Sequence, residues 1–296
     1  MSQNVYMSNQ LKRGLCALIV LLFGSFAVAD EVKFAETTTV LPTYAPGGYD
    51  KTPLFYTGRV YQGAQGRVYP YPMQDVLFDG KVDETYKYLT LENEWLQMGL
   101  LPEHGGHLLN FTDKQTGFET FYRQHVIKPA LIGMLGAWIS GGVEWNFPHH
   151  HRPTTFMPID WRIKEDRRTG QKTLWLGETE LRRRLKWSIG LSMAPDRAAL
   201  VAENRFMNRQ PYIESMLYWA NVSVHCGPDY QVLFPPSCHL GFDHHKNFWT
   251  TFPMGPKRVD HQWIPSQRSK SANDVEGEID LSWWKNFTVE SRSIFA

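Results

Sequence analysis

The stretch Leu181–Ser192, LRRRLKWSIGLS, decides the reading of the fold. Leu181, Leu185, Trp187, Ile189 and Leu191 occupy one parity, interrupted only by Arg183. Arg182, Arg184, Lys186, Ser188 and Ser192 occupy the other. Apolar residues at every second position bury one face of a strand and wet the other, as antiparallel sheets allow. Pro195-Asp196-Arg197 then supplies a turn and Ala199–Met207 returns, so the segment predicts a β-hairpin.

The same period extends outward. Tyr86, Tyr88 and Thr90 alternate with Lys87, Leu89 and Leu91, and Glu92-Asn93 marks a turn. Trp95–Leu101 follows and Pro102 ends it. Gly105-Gly106 and Asp113–Gly117 mark further turns. No amphipathic helix longer than two turns and no internal repeat is found. The expected fold is therefore all-β, with two packed antiparallel sheets. Residues 30–83, rich in Gly, Pro, Thr and Tyr, read as lead-in strands and loops, and residues 84–296 as the sandwich domain. The final segments, Ser282–Asn286 and Ser291–Ala296, look like mid-domain sequence, which predicts a domain incomplete at its C-terminal end.

The N-terminus has the parts of a secretory signal. Lys12 and Arg13 give a positive start, Gly14–Val28 is mostly apolar, and Ala27-Val28-Ala29 is a small-x-small cleavage pattern. A helix over Gly14–Val28 would cover about 23 Å at ~1.5 Å per residue, short of a ~30 Å bilayer core. Residues 1–29 are thus expected to be a cleaved leader rather than an anchor, and the product periplasmic or extracellular. No later run is apolar for 18 residues, so no stable membrane insertion is expected after cleavage. The 31 basic and 30 acidic residues leave no basic stripe for nucleic acid. Cys226 and Cys238 remain in the mature chain. They would form one disulfide worth ~3 kcal/mol or stay as two buried thiols.

Three segments carry candidate chemistry. In Tyr218–Cys226, Tyr218, Ala220, Val222, Val224 and Cys226 suit a core. Trp219, Asn221, Ser223 and His225 put an indole and three hydrogen-bonding groups in a row about 6.6–6.8 Å apart, as a sugar site or a wet face requires. In Gly141–Pro148, Glu144 and Asn146 share one strand face, opposite Val143, Trp145 and Phe147. Glu144 is expected as a general acid or base whose pKa is raised by its Trp and Phe neighbours. The following His149-His150-His151 alternates in direction, poor spacing for a metal, and reads as a solvated loop. In Asp243-His244-His245, the Asp can fix a histidine tautomer. Zinc would need further convergence from His225 and His239, so no metal is expected. Glu103-His104 beside Gly105-Gly106 is a fourth, weaker candidate. No phosphate loop, nucleophile elbow or Cys-x-x-Cys pair is present, and no cofactor is expected.

Leu101–Leu108 (LPEHGGHL) with Asp113–Gly117 (DKQTG) resembles the opening hairpin of galactose-mutarotase-like domains. Ser140–Pro148 (SGGVEWNFP), Asn204–Arg209 (NRFMNR), Tyr218–Val222 (YWANV) and Asp280–Asn286 (DLSWWKN) resemble the DUF5107 family. That family comprises exported bacterial proteins whose mutarotase-like domain is often followed by tetratricopeptide repeats. The resemblance covers roughly residues 35–296 and implies a β-supersandwich and carbohydrate as ligand. The His-x-Tyr-x-Asn motif of mutarotases is absent, so no catalytic histidine is carried over.

The resulting expectation is an exported carbohydrate-binding domain in glycan metabolism. Glu144, His225 and His244 are the acid/base candidates. Trp145, Asn146, Trp219, Asn221, Glu103, His104 and His245 are the sugar-binding candidates. The rivals are an aldose epimerase or glycoside hydrolase, and a non-catalytic binding module or inactive fragment.

Overall fold

The structure is a computed structural model that describes residues 31–50, 69–133, 136–149, 151–225 and short stretches between 233 and 295. The expected leader lies outside the described residues, as do Cys226, Asp243, His244 and His245. Twelve strands carry the architecture: β1 (Lys33–Pro46), β2 (Leu77–Glu92), β3 (Leu96–Leu101), β4 (His107–Asp113), β5 (Ala130–Gly133), β6 (Gly136–Trp138), β7 (Val143–Asn146), β8 (Asp160–Glu165), β9 (Lys172–Thr179), β10 (Lys186–Met193), β11 (Val201–Met207) and β12 (Trp219–His225). Every ladder between them is antiparallel.

The larger sheet runs β1-β2-β3-β4-β7-β12, with Ser293–Phe295 on the far edge of β12. The smaller runs β11-β10-β9-β8. Alternation makes one side of each sheet apolar, and the two apolar sides meet. Leu89, Leu91, Met98, Leu100, Leu108, Val143 and Trp145 of the larger sheet share a buried cluster with Leu174, Leu176, Trp187, Ile189, Leu191 and Met193 of the smaller. Each such side chain contributes about 1.5–3 kcal/mol of burial. The chain is thus an all-β protein in which two antiparallel sheets enclose one core.

The hairpin read from the sequence is β10–β11, with Ile189 opposite Asn204. Its first strand begins at Lys186, later than Leu181, and the physical reason lies at Glu180. That buried carboxylate accepts the Arg183 amide at 2.7 Å and pairs with the Arg182 guanidinium, and Arg184 takes a left-handed φ of 54°. Residues 181–184 therefore form a turn, where Arg183 had interrupted the alternation. The turn at Asn93 is a staple. Its Oδ1 accepts the amides of Trp95 and Leu96, and its Nδ2 donates to the carbonyls of Ala194 and Arg197, joining the β2–β3 corner to the β10–β11 corner. The division expected between residues 83 and 84 falls inside β2, which pairs with β1 from Lys33↔Glu92 to Pro46↔Leu77.

The other side of the larger sheet is mixed. A second apolar cluster of Leu41, Leu101, Leu109, Ile127, Ala137, Ile139 and Phe156 covers its β1–β4 part. Towards β7 and β12 the same side carries Glu144, Asn146, Trp219 and Asn221.

Candidate functional site

Two glycines bring the chain into β7. Gly141 and Gly142 have φ of 94° and 55°, which L side chains rarely adopt. A Cβ on Gly142 would lie 1.8 Å from the Leu108 carbonyl oxygen, so the turn presses directly against β4. From there β7 alternates. Val143 and Trp145 enter the sandwich core, while Glu144 and Asn146 face the other way. The antiparallel register sets Trp219 opposite Asn146 and Asn221 opposite Glu144.

The loop after Pro148 returns over this face and closes on Glu144. His151 Nδ1 lies 2.9 Å from Oε2 and 3.2 Å from Oε1. Trp138 Nε1 donates to Oε2 at 2.8 Å, the Thr155 hydroxyl donates to Oε1, and Asn221 Nδ2 reaches Oε2 at 3.5 Å. Burial alone would raise this carboxyl. The hydrogen bond and charge of His151, with the donations from Thr155 and Trp138, outweigh it and hold the pKa down to about 2. The expected upward shift is thus overturned, because Trp145 and Phe147 lie on the opposite face and four donors converge on the carboxylate.

Arg152 fixes the loop. Its backbone amide donates to Asn146 Oδ1 at 3.1 Å and its Nε to the Trp145 carbonyl at 2.7 Å. The guanidinium also donates to the Gly105 carbonyl, reaches Glu178 at 3.4 Å and lies over the Trp187 ring. Burial lowers its pKa, opposed by the Glu178 and Glu144 charges.

His151 stands between two indoles, with Trp219 at 4.8 Å and 78° and Trp138 at 5.4 Å and 71°. Its side chain keeps 10% of its surface, against 4% for Glu144. Trp219 is half-buried, and its Nε1, like Asn146 Nδ2 and His107 Nε2, has no partner among the described residues.

The sequence candidates separate accordingly. Glu144, Asn146, Trp219 and Asn221 are brought together. Asn221 and Ser223 are buried, at 7% and 1% exposure, so the middle of the row on β12 is enclosed and not a wet face. Trp145 is a core residue and stacks on nothing outside the sandwich. His225 is exposed at the end of β12, with Nε2 2.9 Å from the Glu119 carbonyl oxygen and no contact to Glu144. Glu103 is exposed and accepts the Lys87 amide at 2.8 Å, tied to the β2 edge. His104 is buried between Tyr86 and Phe156, with neither nitrogen partnered. Burial, and then the charge of His107, push its pKa down to about 3. Cys238 is a free thiol.

His151, Trp138, Thr155 and Arg152 complete the site, and alternation did not find them. The three-histidine run had read as solvated, but loop closure buries His151 against Glu144. Among the described residues, no group of three His, Cys, Asp or Glu side chains is placed to hold a metal ion. No helix there is long and apolar enough to cross a membrane.

The chain is similar to a solved crystal structure of a TPR-domain containing protein from Parabacteroides distasonis. Identity is 26%, the TM-score is 0.59, and the match covers 68% of this chain and 33% of that one. The chain thus spans about a third of the length of that relative. The model of DUF5107, described as a domain of unknown function, matches residues 64–293, most of the chain, and the protein belongs to that family.

Proposed function

We propose that the protein is an exported, galactose-mutarotase-like domain that binds carbohydrate on the β7–β12 side of its larger sheet and acts in glycan metabolism. The observation that carries this reading is the arrangement of Trp219, Asn221 and His151 around Glu144. An indole beside fixed polar groups suits a ring that has apolar faces and hydroxyl edges. Export rests on the pattern at Lys12–Ala29, and the mutarotase-like type on the motifs at Leu101–Leu108 and Asp113–Gly117.

Glu144 is not the ligand-facing acid or base in this reading. Its oxygens are occupied by Trp138, His151, Thr155 and Asn221, so its role is to hold the site. The test is a glycan-array screen of the mature chain beside its Trp219→Ala variant. Binding to one glycan class that weakens about tenfold or more in the variant supports the reading. Binding to no glycan, or equal binding by both proteins, contradicts it.

A further inference from the structure

We infer that His151 Nε2 is the basic, ligand-facing atom of this site, and that Glu144 is a positioning residue acting through it. The inference rests on the carbohydrate reading for the identity of the ligand. It stands on four observations. The carboxylate of Glu144 accepts at His151 Nδ1, 2.9 Å away, and an ionised carboxylate can only accept. That places the proton of the neutral ring on Nδ1 and a lone pair on Nε2. Nε2 has no hydrogen-bond partner among the described residues, and it is not among the buried unpartnered atoms, so it meets solvent. Trp138 and Trp219 hold the ring edge-on from two sides.

His104 and His107, buried on the same side of the sheet, offer the contrast: their unpartnered nitrogens are sealed from solvent, and no carboxylate is hydrogen-bonded to either ring. In His151 the carboxylate fixes one nitrogen and leaves the other free, so the ring faces a ligand in a single tautomer.

The chemistry follows from that tautomer. A sugar hydroxyl donates its hydrogen to the Nε2 lone pair. If the proton transfers, the O–H electron pair stays on the sugar oxygen, Nε2 gains the proton, and the imidazolium keeps Nδ1–H on Glu144. The return of the proton reverses each change. Glu144 stays an acceptor throughout, because Trp138 and Thr155 hold its oxygens.

The test uses the mature chain labelled with 15N-histidine, with methyl glycosides of the array's best-bound monosaccharide as the probe. The expected neutral tautomer of His151 is Nδ1–H, and the glycoside perturbs the Nε2 signal. His151→Gln weakens binding about tenfold. Glu144→Gln mixes the tautomers. An Nε2–H tautomer in the wild type overturns the inference. So does a glycoside that binds with the same affinity to His151→Gln, which leaves the carbohydrate reading standing. Absence of binding by any glycoside overturns both. The wild-type tautomer and His151→Gln arms keep the test decisive should Glu144→Gln fail to fold.

Discussion

The guanidinium of Arg152 lies 4.6 Å over the indole of Trp187, and the two are among the largest fully buried side chains of the protein. Trp187 belongs to the smaller sheet, and Arg152 to the loop that closes on Glu144 in the larger one. One cation therefore ties the core, through Trp145 and Glu178, to the candidate site.

Arg152→Met should be strongly destabilising. It removes the guanidinium donors to the carbonyls of Trp145 and Gly105 and takes the cation from Glu178, whose carboxylate keeps only the neutral donors Thr154 and Trp187. Breaking a buried pair in this way costs about 3–5 kcal/mol. The thermal midpoint should fall by about 10 °C for a chain of this size. Arg152→Lys should recover only part of this, because an ammonium cannot reproduce the planar fork. Calorimetry of the two variants checks the order.

Acid should weaken the fold before it reaches the carboxylates. His104 is neutral in the folded chain, with a pKa near 3 against 6.5 for the free side chain, so below pH 6.5 the unfolded chain binds the extra proton. Its contribution is complete above pH 6.5 and is lost progressively as pH falls towards 3. The loss between pH 7.5 and 4.5 should be about 2–3 kcal/mol at 1.36 kcal/mol per pH unit. His107 is lowered as well and acts in the same direction. Glu144, depressed to about 2 from 4.5, adds a further loss only below pH 4.5. Denaturant midpoints at the two pH values should differ by less in His104→Phe than in the wild type.

Gly142→Ala should disrupt the entry to β7. Its φ of 55° is strained for alanine, and the new Cβ would meet backbone, the Leu108 carbonyl oxygen, which cannot swing aside. The expected result is loss of several kcal/mol or of soluble protein altogether. Gly48→Ala, where a Cβ meets nothing within 4 Å, is the control and should stay within about 0.5 kcal/mol.

Much of this was legible in the alternation of side chains, and the rest was not for definite reasons. Period two placed Trp187, Ile189 and Leu191 in the core and set Glu144 and Asn146 against Trp145. It also put Trp219 and Asn221 on one side of β12. Alternation, however, gives the side and not the depth. Asn221 and Ser223 read as part of a sugar face or a wet one and are buried: the chain after Pro148 returns over the Glu144 carboxylate that Asn221 reaches, and Ser223 is bonded to the turn at Gly141-Gly142 and to Tyr122. The same return made His151 a partner of Glu144, which reversed the expected pKa shift. Strand periodicity carries no signal for where a loop lands. Arg152, flanked by His151 and Pro153, gave no sign that it would be buried.

The central claim is that the β7–β12 side of the larger sheet receives a sugar ring. The most direct measurement is a titration of the mature chain with its best-bound glycan, followed through the indole N–H resonances in NMR. The account predicts that the Trp219 Nε1–H signal moves with saturable dependence on glycan. The core indoles of Trp145 and Trp187 should stay still, and Trp219→Ala should weaken the isotherm about tenfold or more. Shifts confined to Trp175 and Trp161 on the smaller sheet, with Trp219 unmoved, would contradict it.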